Sequence, residues 1–302
     1  QIKNSSPDLS PTGSQMPRLL GLAMASKYYR INPDLQKGDF LKFSDKGNEI
    51  AFGTIGDAST SEGLFWETIN AAGVMQIPML VSVWDDDHGI SVPKKYQTTK
   101  ESISEILKGF QRDEKGNGFE IFKTRGWDYP HLIETYEKAA KVCREEHIPV
   151  LVHVEEMTQP QGHSTSGSHE RYKSEERLQW EINFDPIRKM REWMITSEIA
   201  SAEELNKIEA DAKQAVREAK NASWNAYLTP IKEEVKEVAA LLNEMTAESA
   251  HGNSIGEITK TLTSLPDPIR KDIVSSAKKV LRIVRDENIL SKKKLTAWLE
   301  EA

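Results

Sequence analysis

The sequence predicts an α/β fold, a mostly parallel sheet with helices on both faces, followed by a helical C-terminal extension. Four short apolar runs alternate with amphipathic stretches over the first 160 residues, which is the pattern of βαβ units. Beyond them the chain keeps helical periodicity and has few aromatic residues. We therefore expect an α/β domain over residues 1–220 and a helical linker or extension over residues 221–302.

Each element follows from apolar periodicity and from the residues that begin or end it. A first helix is predicted over 16–30, where Pro17 suits a helix start. The four apolar runs predict strands over 49–55, 79–84, 119–124 and 149–157, with connecting helices over 62–76 and about 129–146. Residues 159–172 are rich in Gly, Ser and Pro and predict a loop. Helices are expected from about residue 185 onward.

Composition limits the function classes. Forty basic and 47 acidic residues give a net charge of -7, which argues against a broad nucleic-acid-binding surface. No apolar run reaches the roughly 18 residues needed to span a bilayer, so we expect neither a nucleic-acid nor a membrane partner. The single cysteine, Cys143, excludes an internal disulfide and a cysteine-built zinc site and favours a cytoplasmic location. Because the sequence starts without Met and stops within helical sequence, we expect a longer polypeptide.

Acidic residues follow two neighbouring predicted strands. Asp57 comes after the first strand, and Asp85, Asp86 and Asp87 come after the second. The carboxyl ends of parallel strands share one edge of a sheet, where ligands bind, and Mg²⁺ commonly bridges carboxylates to phosphates. The N–H groups that open the next helix, at 59–62, suit a diphosphate. The alternative is that Asp57 caps a helix and the three aspartates form a solvated turn.

Two polar loops are further candidates. His163 follows the fourth strand and is expected at the same edge, where imidazole can donate to a phosphate or move a proton. The alternative is an ordinary exposed histidine. The turn-rich segment 10–15 offers a backbone wall for a flat heterocycle and oxygen ligands for an alkali cation. Its alternative is a plain loop that leads into the first helix.

Three segments resemble one family. Residues 52–93 (FGTIGDAST…VSVWDDDHGISVP) resemble the thiamine-diphosphate signature, G-D-G followed about 25–30 residues later by N-N. They resemble most its N-N-G-Y-A-I-S-x-P form in alpha subunits of the decarboxylating component of 2-oxo acid dehydrogenase complexes. Residues 162–194 (GHSTSGSHERY…DPIRKMREWM) resemble that family's H-S/T-T-S-D-D-x-x-x-Y-R loop and D-P-I helix. Residues 10–25 resemble its S-P-x-x-T-Q-x-P segment.

The resemblance covers residues 4 to about 220 and carries functional implications. It implies a thiamine-diphosphate-binding fold, with thiamine diphosphate and Mg²⁺ as cofactors and K⁺ as a further candidate. The implied reaction is oxidative decarboxylation of a 2-oxo acid and acyl transfer to the lipoyl group of a partner acyltransferase. The implied partner is a beta-type subunit, or a fused beta-like half joined through the helical tail, in an alpha2beta2-like assembly. The H-S-T-S form of the loop favours the branched-chain (2-oxoisovalerate) members.

The resemblance also assigns roles to single residues. It places Asp57, Asp86 and the backbone carbonyl of His88 on Mg²⁺, and it makes His163 the candidate catalytic residue beside the cofactor. The remaining matches are Gly56, Ala58 and Ser59 for the diphosphate-binding turn, Ser10 and Thr12 beside the cofactor rings, Ser14 and Gln15 for potassium, His163 again as a cofactor contact, and Ser164 for a serine phosphorylated in eukaryotic members.

The sequence departs from the family pattern at the metal-binding turn. Asp85, Asp86 and Asp87 replace Asn-Asn-Gly, and Ala58 replaces a glycine. The added negative charge predicts tighter metal dependence. Alternative functions are a pyruvate or acetoin dehydrogenase, a transketolase-like enzyme, or a non-catalytic scaffold whose signature has decayed.

Overall fold

The structure, a computed structural model, describes residues 11–163 and 168–301. It divides into two compact units, one ending at Ser201 and one beginning at Ala202. The boundary that we expect from sequence, at residue 220, falls inside the first helix of the second unit. Two residues singled out above, Ser10 and Ser164, lie outside the described residues.

The first unit contains a four-stranded parallel sheet. Its strands, with those of a small antiparallel ribbon, are β1 (Ala51–Gly56), β2 (Met79–Trp84), β3 (His88–Gly89), β4 (Val92–Pro93), β5 (Glu120–Arg125) and β6 (Val150–Glu155). The sheet order is β1-β2-β6-β5, and β3 pairs with β4. The four strands predicted from apolar runs are confirmed to within two residues at each end. The ribbon β3–β4 was not predicted.

Helices connect and follow these strands. They are α1 (Met16–Ile31), α2 (Gly63–Met75), α3 (Ile103–Ile106), α4 (Tyr129–Glu145), α5 (Glu175–Asn183) and α6 (Pro186–Thr196). Short 3₁₀ turns lie at Pro33–Gln36, Gly38–Lys42, Ala58–Ser61, Lys94–Tyr96, Thr99–Glu101, Leu107–Phe110 and His169–Arg171. The short helix α3 and the helix α5 are elements that the sequence pattern did not predict.

Helices cover both faces of the sheet, as expected. In β2, Val81 and Val83 pack in a core with residues of α1 and α2, whereas Leu80 packs on the opposite face in a core with α4. In β6 the alternation is the same and in register with β2, with Leu151 in the first core and Val152 in the second. Successive side chains of a strand point to opposite faces, so continuous apolar runs bury both sides of the sheet.

The single cysteine belongs to the core between α4 and the sheet. Cys143 has no exposed surface, and burial raises the pKa of its thiol to about 12. A thiol that is both inaccessible and protonated at physiological pH is a poor nucleophile. Its role here is packing.

The second unit is helical. It consists of α7 (Ala202–Glu248), α8 (Gly252–Thr263), α9 (Arg270–Ile283) and α10 (Leu290–Glu301). Its own apolar core draws on all four helices, with Leu242, Ile255, Val280 and Leu295 fully buried. Within the described residues of both units, we find no helix with the length and apolar character to cross a bilayer.

Candidate active site

The site is built where three strands end at one edge of the sheet. The hydrogen-bond ladder continues one step beyond the strands, because Asp57 N–H donates to the Trp84 carbonyl at 3.0 Å and Asp85 N–H donates to the Val154 carbonyl at 2.8 Å. The Met157 N–H then donates to the Asp85 carbonyl at 3.0 Å. These bonds hold the turns after β1, β2 and β6 side by side.

A cleft of about 580 Å³ opens at this edge. It brings together eight of the residues predicted for the site: Thr12, Gly56, Asp57, Ala58, Ser59, Asp86, His88 and His163. Further lining residues are Trp84, Gly89, Ile90, Gln97, Met157, Thr158 and Gln159. The cleft therefore joins segments that are more than 150 residues apart in the chain, although the binding role of each residue stays a prediction.

The two residues proposed for potassium lie differently. Gln15 lines an adjoining cleft, which it shares with Thr12 and Gly56. Ser14 is not among the described residues that line either cleft, and its hydroxyl donates to the Pro11 carbonyl at 2.6 Å. The Ser14 oxygen is thus part of a local turn, and potassium binding stays a prediction.

Asp57 is a buried carboxyl group with an unused oxygen. Among the described residues its Oδ2 has no hydrogen-bond partner, and its side chain makes no capping hydrogen bond to the turn that follows. Burial, together with the nearby charges of Asp85 and Asp86, raises the pKa of Asp57 to about 8. Asp57 occupies the N-cap position of that turn, but without a side-chain cap bond this position does not explain the buried carboxyl group. A carboxylate in this setting is stabilised by a cation, which would lower its pKa.

Asp86 is the second buried carboxyl group of the cleft, only 9% exposed. Its carboxylate accepts a long bond from the His88 N–H, at 3.4 Å. Burial raises the pKa of Asp86, although that hydrogen bond and the charge of Lys173 oppose the shift. The alternative of a solvated turn is wrong for this residue, because solvent has little access to it.

The Asp85 carboxylate already bonds two other side chains. Its Oδ2 accepts from His153 Nε2 at 3.0 Å and from Lys94 Nζ at 3.1 Å. On its other side the His153 ring bonds the Ser104 hydroxyl at 2.9 Å. Burial alone would raise the pKa of Asp85, but the His153 bond and the Lys94 charge outweigh it, so the pKa lies below its usual value.

The Ser104–His153–Asp85 chain has the residue types of a hydrolytic triad. All three are almost completely buried, with His153 at 0% exposure and Ser104 at 3%. A nucleophile must reach its substrate, and this serine does not reach solvent. The chain orients Asp85 and holds β2, β6 and α3 together.

Asp87 is held by two cations. Its Oδ1 lies 2.5 Å from Lys94 Nζ, and its Oδ2 pairs with Arg177 Nη1. Arg177, on α5, also donates to the Asp86 carbonyl at 3.1 Å and to Glu181 at 3.0 Å. The backbone of Asp87 is left-handed, with φ +69°, which is the conformation that glycine adopts without penalty.

Ala58 and Gly89 fit each other at the wall of the cleft. A Cβ placed on Gly89 would lie 2.7 Å from the Ala58 Cβ and would also meet the Gln97 side chain. The family pattern has glycine at the position of Ala58 and alanine at that of Gly89. The chain has therefore exchanged the two, and the methyl group comes from the opposite wall.

Sequence reasoning missed Lys94, Arg177 and His153. A signal was present for Lys94, because a basic residue soon after three consecutive aspartates suggests a charge partner. The sequence contains no such signal for Arg177, because it is 90 residues from Asp87 in the chain. His153 stands in an apolar strand, where a buried polar residue indicates a specific hydrogen-bond partner.

The donor set suits one hard divalent cation and an anionic group. Of the four aspartates, Asp85 and Asp87 are paired with cations, whereas Asp57 and Asp86 line the cleft, and Asp57 Oδ2 has no hydrogen-bond partner among the described residues. No group of three or more His, Cys, Asp or Glu side chains in the described part of the chain is arranged to hold a metal. Two carboxylates completed by backbone and ligand oxygens are the arrangement that Mg²⁺ uses with phosphates.

Comparison with known proteins gives a consistent match. The family model described as "Dehydrogenase E1 component" matches residues 4–231. A pyruvate dehydrogenase E1 component subunit alpha from Rickettsia bellii is 27% identical, over 74% of this chain and 60% of its own length. The mitochondrial 2-oxoisovalerate dehydrogenase subunit alpha 1 of Arabidopsis thaliana is 26% identical, over 74% of this chain and 43% of its own. The chain thus spans only about half of these relatives.

Proposed function

Because the chain belongs to the dehydrogenase E1 component family, we propose that it binds thiamine diphosphate with Mg²⁺ and contributes to the oxidative decarboxylation of a 2-oxo acid. The observation that carries the proposal is the pair of buried carboxyl groups, Asp57 and Asp86. Both line the cleft, and both have a raised pKa. Burying a carboxylate without a cation beside it costs free energy. A bound positive ion would remove that cost at this site.

The chain's own residues have distinct tasks in this proposal. Asp57 and Asp86 would hold Mg²⁺, and the turn at 56–59, which lines the same cleft, would bind the diphosphate. Thr12 lines the cleft and would contact the cofactor beside its rings. When bound, thiamine diphosphate supplies the electron sink that decarboxylation of a 2-oxo acid requires. His163 is exposed and lines the cleft, where its imidazole would lie beside the bound cofactor.

A binding experiment tests the cofactor assignment. Trp84 lines the cleft, so its fluorescence should report thiamine diphosphate binding, and isothermal titration gives the affinity. We expect binding that requires Mg²⁺ and that is lost in Asp57→Ala. The control is Asp39→Ala, which removes an aspartate that is 87% exposed and pairs with Lys42. If Asp57→Ala and Asp39→Ala bound thiamine diphosphate with equal affinity, the metal site would be removed from the proposal.

For the substrate we propose the branched-chain class, with 2-oxoisovalerate as its representative. The support is the His-Ser-Thr-Ser form of the loop at 163–166. The relatives include proteins named for pyruvate and for 2-oxoisovalerate at similar identity, so they do not choose between the two. In the assembled enzyme we expect a higher kcat/KM for 2-oxoisovalerate than for pyruvate. The opposite order would leave the family assignment intact and reject the branched-chain class.

We further propose that a beta-type subunit, or a fused beta-like half, completes the site, and that a lipoyl-bearing acyltransferase accepts the acyl group. Beside the cleft, Phe52 and Trp84 are about half exposed, and such apolar surface suits a protein partner. Cofactor held from one side lacks the orientation that accelerates the reaction. We expect decarboxylation of 2-oxo acids after the partner is added and none by the chain alone.

A further inference from the structure

The departure from the family pattern that adds the most charge is the turn with Asp85, Asp86 and Asp87. Asp57, Asp85, Asp86 and Asp87 would place four negative charges around a site proposed to receive an anionic diphosphate. The negative charges of these carboxylates repel one another and would also repel an anionic ligand. The structure places two cations inside the turn, Lys94 between Asp85 and Asp87, and Arg177 against Asp87.

Lys94 and Arg177 contact the carboxylates of some of these aspartates and not of others. Lys94 contacts the carboxylates of Asp85 and Asp87, and Arg177 contacts the carboxylate of Asp87 but only the backbone carbonyl of Asp86. Two positive charges thus balance two of the four negative ones. The charge that remains, on Asp57 and Asp86, equals that of one divalent ion.

Arg177 is itself fixed. Its Nε donates to Glu181 Oε1 at 3.0 Å, and its guanidinium lies 4.6 Å from the Trp180 ring centroid. Glu181 is buried and also accepts from Lys173 at 2.6 Å. The planar guanidinium therefore joins α5 to the turn through several directed bonds, which a mobile surface cation would not make.

We propose that Lys94 and Arg177 form a charge clamp on the turn, which neutralises Asp85 and Asp87 and reserves Asp86, with Asp57, for a single divalent cation. This inference rests on the proposed function and explains how three consecutive aspartates are compatible with a diphosphate. Lys94 and Arg177 are positioning residues, since they act through the turn.

The first test compares isosteric substitutions at adjacent positions. Mn²⁺ binding to the full chain, without cofactor, is measured by electron paramagnetic resonance for the wild type, Asp86→Asn and Asp87→Asn. We expect one bound ion in the wild type, at least a tenfold loss of affinity in Asp86→Asn, and less than a threefold change in Asp87→Asn, because only Asp86 is free to bind an ion. Equal losses in both variants, or no Mn²⁺ binding by the wild type, would overturn the clamp.

The second test measures the anionic ligand. Arg177→Gln leaves Asp87 with one cation fewer, so we expect about tenfold weaker binding of thiamine diphosphate in the presence of Mg²⁺. The double variant Asp87→Asn/Arg177→Gln removes both charges and should recover to within about threefold of the wild type. The control is Arg188→Gln, whose ion-pair partner Glu192 lies four residues away on the same helix, α6.

The outcomes separate the two proposals. A double variant as weak as Arg177→Gln alone would mean that Arg177 touches the ligand directly, and the clamp would be rejected. A wild type that binds one Mn²⁺ ion through Asp86 but no thiamine diphosphate, even with its beta-type partner, would reject the proposed function. The clamp would then still be supported by the Mn²⁺ measurements of the first test.

Discussion

At the scale of single residues, a buried carboxyl group makes the stability of the metal-free protein depend on pH. The pKa of Asp57 is about 8 in the folded chain and near 3.8 in an unfolded one. Between these values the folded state retains a proton that the unfolded state has released. The free energy of unfolding should therefore fall as pH rises from about 4 to about 8.

The substitution Asp57→Asn should remove this dependence. We expect the variant, in EDTA, to lose less stability than the wild type between about pH 6 and about pH 8.5, as measured by urea unfolding at each pH. Added Mg²⁺ should stabilise only the wild type, because it binds the ionised carboxylate. Asp39→Asn is the control for a fully solvated aspartate. Parallel pH profiles in the wild type and Asp57→Asn would contradict the raised pKa.

The exchanged pair Ala58 and Gly89 gives a second prediction at this scale. Gly89→Ala places a methyl group 2.7 Å from the Ala58 Cβ, and overpacking of this kind typically costs about 1–3 kcal/mol. The double variant Ala58→Gly/Gly89→Ala restores the family arrangement and should recover most of that loss. Melting temperatures of the two single variants and the double variant give the coupling. Additive effects of the two changes would show that the methyl groups do not compete for space.

Sequence alone could identify the acidic candidates but not the cations that neutralise two of them. Asp57 and Asp86 were found from their place after strands and from the family pattern. That Asp85 and Asp87 are neutralised depends on Lys94 and Arg177, and Arg177 reaches the turn only because α5 packs beside it. Such a contact is set by tertiary structure, and the spacing of residues in the chain carries no information about it.

At the scale of elements, burial decided what could be predicted. The strands β2 and β6 are buried on both faces, so they read as continuous apolar runs. Helix α5 escaped prediction because its one fully buried side chain is Glu181, held by Lys173 and Arg177. A helix fixed by ion pairs shows no apolar stripe. The strands β3 and β4 have two residues each, too few for any periodicity.

Helix α7 contains an internal proline, Pro230, which locally destabilises the helix. A proline inside a helix has no N–H for the carbonyl four residues earlier, here that of Ala226, and costs about 3 kcal/mol relative to alanine. Pro230 is exposed, so Pro230→Ala should stabilise the second unit by about 1–3 kcal/mol. Slower hydrogen exchange of the amides around residue 230 would report it. Pro266→Ala, outside any helix, is the control and should change little.

At the scale of the whole molecule, each unit has its own apolar core. Leu242 is fully buried in the core of the second unit and Leu151 in that of the first. A buried Leu→Ala change costs about 2–5 kcal/mol, and we expect that cost to fall mainly on the unit that holds the residue. Leu242→Ala should increase hydrogen exchange in α7–α10 and leave the sheet protected, whereas Leu151→Ala should do the reverse. Loss of protection throughout the chain in either variant would mean that the units unfold together.

The sheet order also has a consequence for the time course of folding. Strand β6 is the last of the sheet to leave the ribosome, yet it lies between β2 and β5 and pairs with both. Until residue 155 has been synthesised, β5 has no strand beside it and β2 has only β1. Long-range parallel pairing is slow because a long loop must close first, whereas the helices of the second unit rely on local contacts. The ends of β1, β2 and β6 that form the cleft can therefore meet only when this last strand enters the middle of the sheet.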